Sequence, residues 1–425
     1  MTLNPISPIP FLPRCGRCVM RLSLWCVVLL AAAVTTGARA AQTPAELLAA
    51  LESEGFENLV VEREASGALR VVFEDRRYRW EVAGLGVVLG IVTAHQEGPV
   101  VLIPLHSGVP MMRLEVDAAD YRSFLHGEMT EAEIFSRMSI SNPAEKAPNS
   151  VRNPSYGRVD LNFSPGIRIN LETPAPPGVF TGGEIRLNPG VYSNLWRGVT
   201  FDGVYTYPLS ASDPAVARAA ASLNGRLGNQ GFFQAQAGRL AEGLNGAAAQ
   251  ASYLTPDGQH LLGLTLTNAT YEGWDRILAY QGFYTWRPSS LDVALTFTGG
   301  RYLKGDYGYG ARLTSGFAER RIDFFVTKTD LNRTLGVAFT FPLGWQRQPM
   351  PAPVRARFRN EFGFVYTDPR PSTLDRRDGG LMVPFADRFQ FAIRRLNRAY
   401  LRAYASQLRE AGKRWVMGHD AGTGL

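Results

Sequence analysis

The sequence of 425 residues predicts a mainly β protein, in which one antiparallel β-barrel of about 12 strands lies between an α+β domain and a C-terminal amphipathic helix. Two observations support this prediction. Apolar and polar residues alternate over most of 155–366, and aromatic residues recur near the ends of the alternating segments. Hydrophobic residues make up 45% of the chain, which is enough for a folded core and excludes a charged disordered protein.

Residues 1–40 have the organisation of a secretory signal peptide. Three arginines precede an apolar run at 22–34, and Ala38-Arg39-Ala40 is a small-x-small cleavage pattern. An uncleaved membrane anchor is the alternative, but the run is shorter than the roughly 20 residues of a helical span. Translation can start at Met1 or at Met20. Cleavage removes all three cysteines and lowers the net charge from +7 to +3, so we expect no nucleic-acid partner.

The next segment, 41–140, predicts a compact α+β domain. Thr43-Pro44-Ala45-Glu46 and Thr130-Glu131-Ala132-Glu133 are capping boxes, and each predicts the start of a helix. Short strands are expected between these helices, at Leu59–Val61, Leu69–Phe73, Tyr78–Val82, Val87–Val92 and Val100–Ile103. The segment 141–154 has three prolines and little apolar material, which is typical of a linker.

Period-two alternation in 155–366 fits two architectures, a water-soluble β-sandwich and a closed transmembrane barrel. The segments have the length of about 9–11 residues that a tilted membrane strand needs. Their second face carries glycine, threonine or charges, which suits a wet lumen better than a packed core. Aromatic side chains fall where membrane-interface girdles belong, so we favour the barrel. These aromatic residues are Tyr192, Trp196, Tyr207, Tyr271, Trp274, Trp286, Tyr302, Tyr307 and Trp345.

The tail, 367–425, begins with a loop and continues with apolar residues spaced by three and four, which predicts an amphipathic helix. The other side of this helix is basic. It could bind an anionic lipid or glycan surface or act as a plug, or it could dock on the protein with its charges in water. The apolar stripe comprises Phe385, Phe389, Ile393, Leu396, Tyr400, Tyr404 and Leu408.

Three arginines, Arg355, Arg357 and Arg359, alternate with apolar residues near the end of the predicted barrel. In a barrel strand they point into the lumen about 6.5–7 Å apart, as a ladder that could attract an anionic polymer and pass it along. The alternative is an edge strand with a solvated basic face. Arg312 and Asp292 are the other candidate residues for lining the lumen and contacting a polymer.

The sequence indicates no catalytic, cofactor or metal site. No histidine has a partner at metal-ligand spacing, and the usual nucleophile and phosphate-loop motifs are missing. A lipase-like barrel enzyme remains a minor alternative, with His260 as base and Ser252 and Asn268 available by composition only.

Several segments resemble the YjbH/GfcD-type exopolysaccharide proteins of the Gram-negative outer membrane. They are Ser155-Tyr156-Gly157-Arg158-Val159-Asp160-Leu161, the turn at Gly300–Asp306, Phe341-Pro342-Leu343 and Arg377-Asp378-Gly379-Gly380, and the turn is the most specific of them. The similarity covers about 155–385 and, more weakly, the first domain. It implies a β-barrel linked to secretion or assembly of a capsule or other exopolysaccharide, with no accepted catalytic residues. Typical members carry additional barrel sequence, so the resemblance leaves open whether this chain forms a pore alone.

Together these observations predict an outer-membrane protein with a periplasmic α+β domain, acting as a conduit or accessory in exopolysaccharide secretion or assembly. The expected partners are outer-membrane lipid, an anionic or neutral exopolysaccharide, and periplasmic polysaccharide-export proteins that dock on the first domain. The alternative is a non-conducting outer-membrane anchor or assembly factor for a polysaccharide export machine. A lipid- or glycan-processing enzyme is the least favoured.

Overall fold

The computed structural model describes residues 43–142, 148–169, 183–209, 213–271, 276–288, 291–369 and 396–422. Strands dominate this part of the chain, so the prediction of a mainly β protein is confirmed. Some predicted features lie outside the described residues, namely the leader at 1–40, Trp274, the motif at 377–380, and Phe385, Phe389 and Ile393 of the helical stripe.

The first part of the described chain folds as an α+β domain around a six-stranded sheet. Its elements in chain order are α1 (Pro44–Glu54), β1 (Glu57–Arg63), β2 (Leu69–Glu74), α2 (Glu81–His95), β3 (Pro99–His106), β4 (Val109–Pro110), β5 (Arg113–Asp117), α3 (Ala118–His126), α4 (Glu131–Arg137) and β6 (Ser139–Ser141). The order across the sheet is β1-β2-β3-β5-β6, with β4 on β3. Strands β2 and β3 are parallel, since α2 crosses over between them. Thr43 and Thr130 cap α1 and α4 through the predicted capping boxes.

Residues 78–95 differ from the prediction. The sequence predicts strands at Tyr78–Val82 and Val87–Val92, but Glu81–His95 forms the single helix α2, so this prediction is wrong. A continuous apolar run suits a buried strand and a buried helix equally, and periodicity does not separate them. Helix α2 is buried on nearly all sides, which explains why its sequence lacks the one-sided apolar stripe of a surface helix.

The second part of the chain forms one large sheet of 14 strands among the described residues, where about 12 were expected. The strands are β7 (Val159–Ile169), β8 (Gly183–Trp196), β9 (Val199–Pro208), β10 (Ala215–Leu227), β11 (Gly231–Ala241), β12 (Leu244–Leu254), β13 (His260–Tyr271), β14 (Ile277–Trp286), β15 (Val293–Arg301), β16 (Tyr307–Phe317), β17 (Arg320–Thr329), β18 (Arg333–Pro342), β19 (Val354–Phe358) and β20 (Glu361–Pro369).

Strands β7 to β18 pair in chain order as an antiparallel meander. Strand β20 pairs with β18 at one end of this order, whereas β19 pairs with β7 in parallel at the other end. Only Arg359 and Asn360 separate β19 from β20 along the chain. A soluble sandwich would divide these strands between two stacked sheets, but all of them belong to one sheet.

The large sheet has an apolar face and a polar face. In β13, Leu264 is 69% exposed, whereas Thr267, on the opposite face, is 2% exposed. The same alternation continues across the neighbouring strands, where Leu, Phe, Tyr and Trp side chains are exposed and Asn, Gln, Ser and Thr side chains are buried. We call these the apolar face and the polar face. Their exposure is the reverse of the pattern in a water-soluble protein.

Two C-terminal helices, α5 (Arg398–Ala403) and α6 (Ala405–Gly422), return to the α+β domain. Tyr400, Leu401 and Leu408 join its core. Helix α6 packs closely on α2, since an added Cβ at Gly86 would lie 2.5 Å from the Leu408 carbonyl oxygen. Of the two alternatives for this amphipathic helix, the structure shows the docked one.

No helix within the described ranges is both long and apolar enough to cross a membrane.

Candidate functional site between the α+β domain and the large sheet

The α+β domain contacts the large sheet at one end of its strands. Gly198, in the turn between β8 and β9, donates its amide to the Ser107 carbonyl oxygen at 2.8 Å. Further along the same end, the backbone amide of Gln348, which follows β18, donates to the carbonyl oxygen of Arg77 at 2.7 Å. Arg79 forms an ion pair with Glu319 in the turn between β16 and β17. The domain therefore contacts the turns after β8, β16 and β18.

The predicted linker takes part in this contact. Arg152 forms an isolated β-bridge with Leu59 of β1, and the Ser155 amide donates to the Asn58 side chain at 3.0 Å. The side chain of Asn194 on β8 also donates to the Ser155 hydroxyl at 2.9 Å. Within the segment, the Asn142 side chain donates to Gln230, between β10 and β11, at 3.2 Å. The described part of 141–154 is thus bonded to both regions rather than solvated between them.

A buried charge cluster joins the domain to β7 and β19, at one end of the sheet order. Asp160 of β7 accepts from Arg355 of β19 at 2.6 Å, and Arg76 of the domain pairs with it at 2.7 Å. Arg357 approaches the same carboxylate at 3.4 Å. We call these four residues the Asp160 cluster. Three guanidinium groups from two regions share one carboxylate that solvent does not reach.

The Asp160 cluster changes the interpretation of the predicted arginine ladder. Arg355, Arg357 and Arg359 do lie on one face of their strands, but Arg355 and Arg357 are only 5% and 4% exposed and are paired. The expectation that these two contact a polymer in an open lumen therefore disagrees with the structure, because Asp160 and Arg76 enclose them. Arg359 is half-buried, and its guanidinium has no partner among the described residues.

The other two predicted site residues lie apart from this cluster. Arg312 is exposed on the polar face, with its guanidinium 5.3 Å from the ring centre of Phe325. Asp292, in the turn before β15, accepts from the Tyr404 hydroxyl at 2.9 Å. Because Tyr404 belongs to the C-terminal helices, Asp292 helps to hold them against the sheet.

A cavity of about 230 Å³ lies between the domain and the polar face, and we call it the junction cavity. Trp80 and Tyr400 line it from the domain side, and Arg359, Glu361 and Arg321 line it from the sheet side. The Trp80 indole donates to the Tyr400 hydroxyl at 2.6 Å, so the position of its ring is fixed. Aromatic, cationic and acidic side chains therefore line one concave surface.

Two carboxyl groups in the wall of this cavity have perturbed pKa values. Burial raises the pKa of Asp75 to about 7, against the opposing effect of amide hydrogen bonds from Tyr78 and Arg77. Burial also raises the pKa of Glu74, although Arg76 partly offsets the effect. Both shifts reduce the negative charge of the wall near neutral pH.

The polar face also carries a row of neutral amides and hydroxyls. Register places Asn224, Gln234, Gln250, Thr265 and Gln281 side by side across five adjacent strands. The Asn224 side chain donates to the carbonyl oxygen of Gly198, in the turn that contacts the domain. Gln234 is 2% exposed, and neither polar atom of its side chain has a hydrogen-bond partner among the described residues. The row carries no charge, and most of its side chains are buried.

Sequence reasoning missed Arg76, Trp80 and Tyr400 as site residues. The sequence places Tyr400 only on an apolar helix face. Trp80 lies within the predicted strand Tyr78–Val82, and Arg76 lies two residues before it. The sequence analysis also did not indicate the three arginine partners of Asp160. A buried carboxylate on the polar side of a strand requires cationic partners, and this requirement is the sequence feature that could have revealed the arginines around Asp160.

The residues of the enzyme alternative are not brought together. Ser252 lies on the polar face, opposite Gly263, whereas His260 and Asn268 are on the side of β13 that exposes Leu264. Nδ1 of His260 lies 2.9 Å from the Tyr284 hydroxyl, and Asn268 accepts from Arg276. The described residues also contain no group of three or more His, Cys, Asp or Glu that could hold a metal ion.

A scan of protein-family models found no match to this chain, and no curated protein matches its sequence.

Proposed function

We propose that the chain is an outer-membrane β-barrel protein that takes part in exopolysaccharide secretion or assembly, as a conduit or as an accessory. The observation that supports the membrane assignment is the exposure of the large sheet, with its apolar face outside and its polar face buried. In lipid this arrangement satisfies both the side chains and the backbone. In water it would leave an apolar surface far larger than monomeric proteins carry.

Barrel closure is supported by the strand order. β19 and β20 occupy the two ends of that order, yet they follow one another along the chain with two residues between them. The Arg359 amide donates to the Phe163 carbonyl oxygen of β7 at 3.0 Å, and β20 also contacts β7. These contacts support the proposal that the sheet closes at β19, β20 and β7. A closed sheet would have no free edge, which is the condition for β-structure in a bilayer.

The polymer assignment comes from the sequence resemblance, and two features of the molecule are compatible with it. The polar face carries neutral hydrogen-bonding side chains such as Gln250, which is half-buried and can contact a hydrated sugar chain. The α+β domain stands at one end of the proposed barrel, where a periplasmic export protein could deliver polymer. In this arrangement the domain and the C-terminal helices act by position, and no chemical step is needed.

Two measurements test this proposal. The protein should remain with the outer-membrane fraction after a urea wash, and a deletion strain should secrete less polymer than its complemented control. Recovery of the protein from the periplasm without detergent would reject the barrel. Normal polymer secretion in the deletion strain would reject the role in export.

A specific observation favours the non-conducting alternative. Side chains of the polar face such as Thr267 and Thr285 are almost inaccessible to solvent, and the domain and Tyr404 contact one end of the sheet. An inaccessible interior that is covered at one end suits an anchor or assembly factor for an export machine better than a pore. Planar-bilayer recordings separate the two. Stepwise currents from the full chain, or from Arg79→Ala with its Glu319 ion pair removed, indicate a conduit. Silence of both indicates an anchor.

A further inference from the structure

The junction cavity differs from the rest of the interface in its charge balance. Three acidic residues of its wall form ion pairs with arginines. The pairs are Glu319 with Arg79, Asp202 with Arg218, and Glu361 with Arg321 at 4.0 Å. Glu74 accepts from the backbone amides of Ser107 and Gly108. The acidic side of the wall is therefore largely compensated.

Arg359 is the exception on the cationic side. Its backbone amide is fixed to Phe163 at 3.0 Å, so the strand position is set, but its guanidinium has no partner among the described residues. Arg357 and Arg355, two and four residues earlier, are both held by Asp160. A half-buried guanidinium without a partner costs free energy unless a ligand supplies an acceptor. A carboxylate matches its two parallel N–H donors best.

Trp80 supplies the second half of a recognition surface. Its ring lines the same cavity, is partly exposed, and is fixed by its hydrogen bond to Tyr400 and by an edge contact with Tyr404 at 5.5 Å. A fixed aromatic face can pack against the apolar face of a pyranose ring at little entropic cost. The raised pKa of Asp75 lowers the repulsion that an acidic ligand would meet.

We propose that the junction cavity binds one acidic sugar unit of a polysaccharide, with the sugar carboxylate on the Arg359 guanidinium and the pyranose ring against Trp80. This inference rests on the proposed function, and it specifies that function in two ways. The polymer is acidic, and the protein contacts it between the domain and the sheet. The junction cavity then provides recognition, whereas half-buried neutral side chains of the polar face such as Gln250 serve passage.

The test uses the full chain in detergent micelles and isothermal titration with three probes. A tetramer of galacturonic acid should bind, and a neutral maltotetraose should bind at least tenfold more weakly. Arg359→Gln should weaken tetragalacturonate binding at least tenfold. Arg137→Gln is the matched control, because it removes an exposed arginine of α4 outside the cavity, and its affinity should equal that of the unmodified protein.

The third probe, tetra-aspartate, separates sugar recognition from general anion binding. It carries the same number of side-chain carboxylates without pyranose rings, and it should not displace the uronate tetramer. Trp80→Phe keeps an aromatic ring but loses the indole, and it should weaken binding severalfold. The thermal midpoints of Arg359→Gln and Arg137→Gln, compared with that of the unmodified protein, show whether these variants are folded.

Three results overturn the inference: no binding of tetragalacturonate, equal binding by Arg359→Gln, or equal displacement by tetra-aspartate. These results leave the proposed function intact if the deletion strain is still defective in polymer secretion. Conversely, uronate binding by a protein whose deletion does not alter secretion would reject the proposed function and retain the binding site.

Discussion

The two sheets of this protein treat apolar side chains in opposite ways. In β2 of the small sheet, the consecutive residues Val71, Val72 and Phe73 are all buried. In β13 of the large sheet, Leu264 and Leu266 are exposed and Thr265 between them is buried. A strand covered on both faces has a continuous apolar sequence, and a strand with two different environments alternates. The comparison teaches that alternation reveals two environments without revealing which of them is water.

Ion pairs at the outer surface and at the junction differ in burial. In the small sheet, Arg70 pairs with Glu62 at the surface, where the Glu62 side chain is half exposed. The large sheet places Asp160 out of solvent and surrounds it with three arginines. A buried carboxylate of this kind is tolerable only when its partners are in place. The Asp160 cluster therefore links the fold of one region to the correct docking of the other.

The largest effect is expected at this link. Asp160→Ala leaves Arg76, Arg355 and Arg357 buried without their shared carboxylate and should lower the free energy of unfolding by about 3–5 kcal/mol. Urea unfolding in micelles measures it. The control is Glu97→Ala, which breaks the exposed pair between Arg122 and Glu97 and should cost less than about 1 kcal/mol. Equal, small losses for both variants would show that the cluster does not hold the two regions together.

The second prediction decides which environment the apolar face meets. Leu264→Arg places a charge in the middle of β13 and should destabilise the vesicle-inserted protein by roughly 2–4 kcal/mol if this face meets lipid. Trp196→Arg, at the end of β8, should cost only about 0–1 kcal/mol, because the penalty falls toward the interface. Urea titration of both variants in vesicles gives the comparison. No cost at Leu264 would mean that this face is in water.

Much of the fold was predictable, and the exceptions have a common cause. The alternation around Leu264 and Thr265 specified the large sheet, and the spacing of Tyr400, Tyr404 and Leu408 specified one helix face. Sequence spacing did not reveal that this face packs on α2, because α2 itself was hidden in a uniformly apolar run. The site was predicted less well. The alternation placed Arg359 on the correct face, but the contact between Asp160 and Arg76 depends on docking of two separate regions.

The third prediction tests the packing of the C-terminal helix on the small domain. Gly86→Ala places a methyl group 2.5 Å from the Leu408 carbonyl oxygen, so α6 must move away from α2. Overpacking should outweigh the better helix propensity of alanine and leave a net cost of about 1–2 kcal/mol. Faster trypsin cleavage at Arg409 and Lys413 would report the release of α6. Ser136→Ala, on the exposed side of α4, should leave the cleavage rate unchanged.

The fourth prediction concerns pH and is confined to the domain. Because burial raises the pKa of Asp75 to about 7, the folded protein keeps this proton at pH values where the unfolded chain, with an ordinary aspartate, has lost it. The folded state thus binds more protons between about pH 4 and pH 7, and stability falls as pH rises through that window.

Asp75→Asn cannot ionise but can still accept the Arg77 and Tyr78 amides. Relative to the unmodified protein, it should therefore gain roughly 1–3 kcal/mol between pH 4 and pH 8. Glu128→Gln, an exposed carboxyl in the same domain, provides the control and should show no such gain. A constant difference between Asp75→Asn and the unmodified protein across this range would mean that Asp75 is ionised throughout, and that the wall of the junction cavity is more acidic than its burial implies.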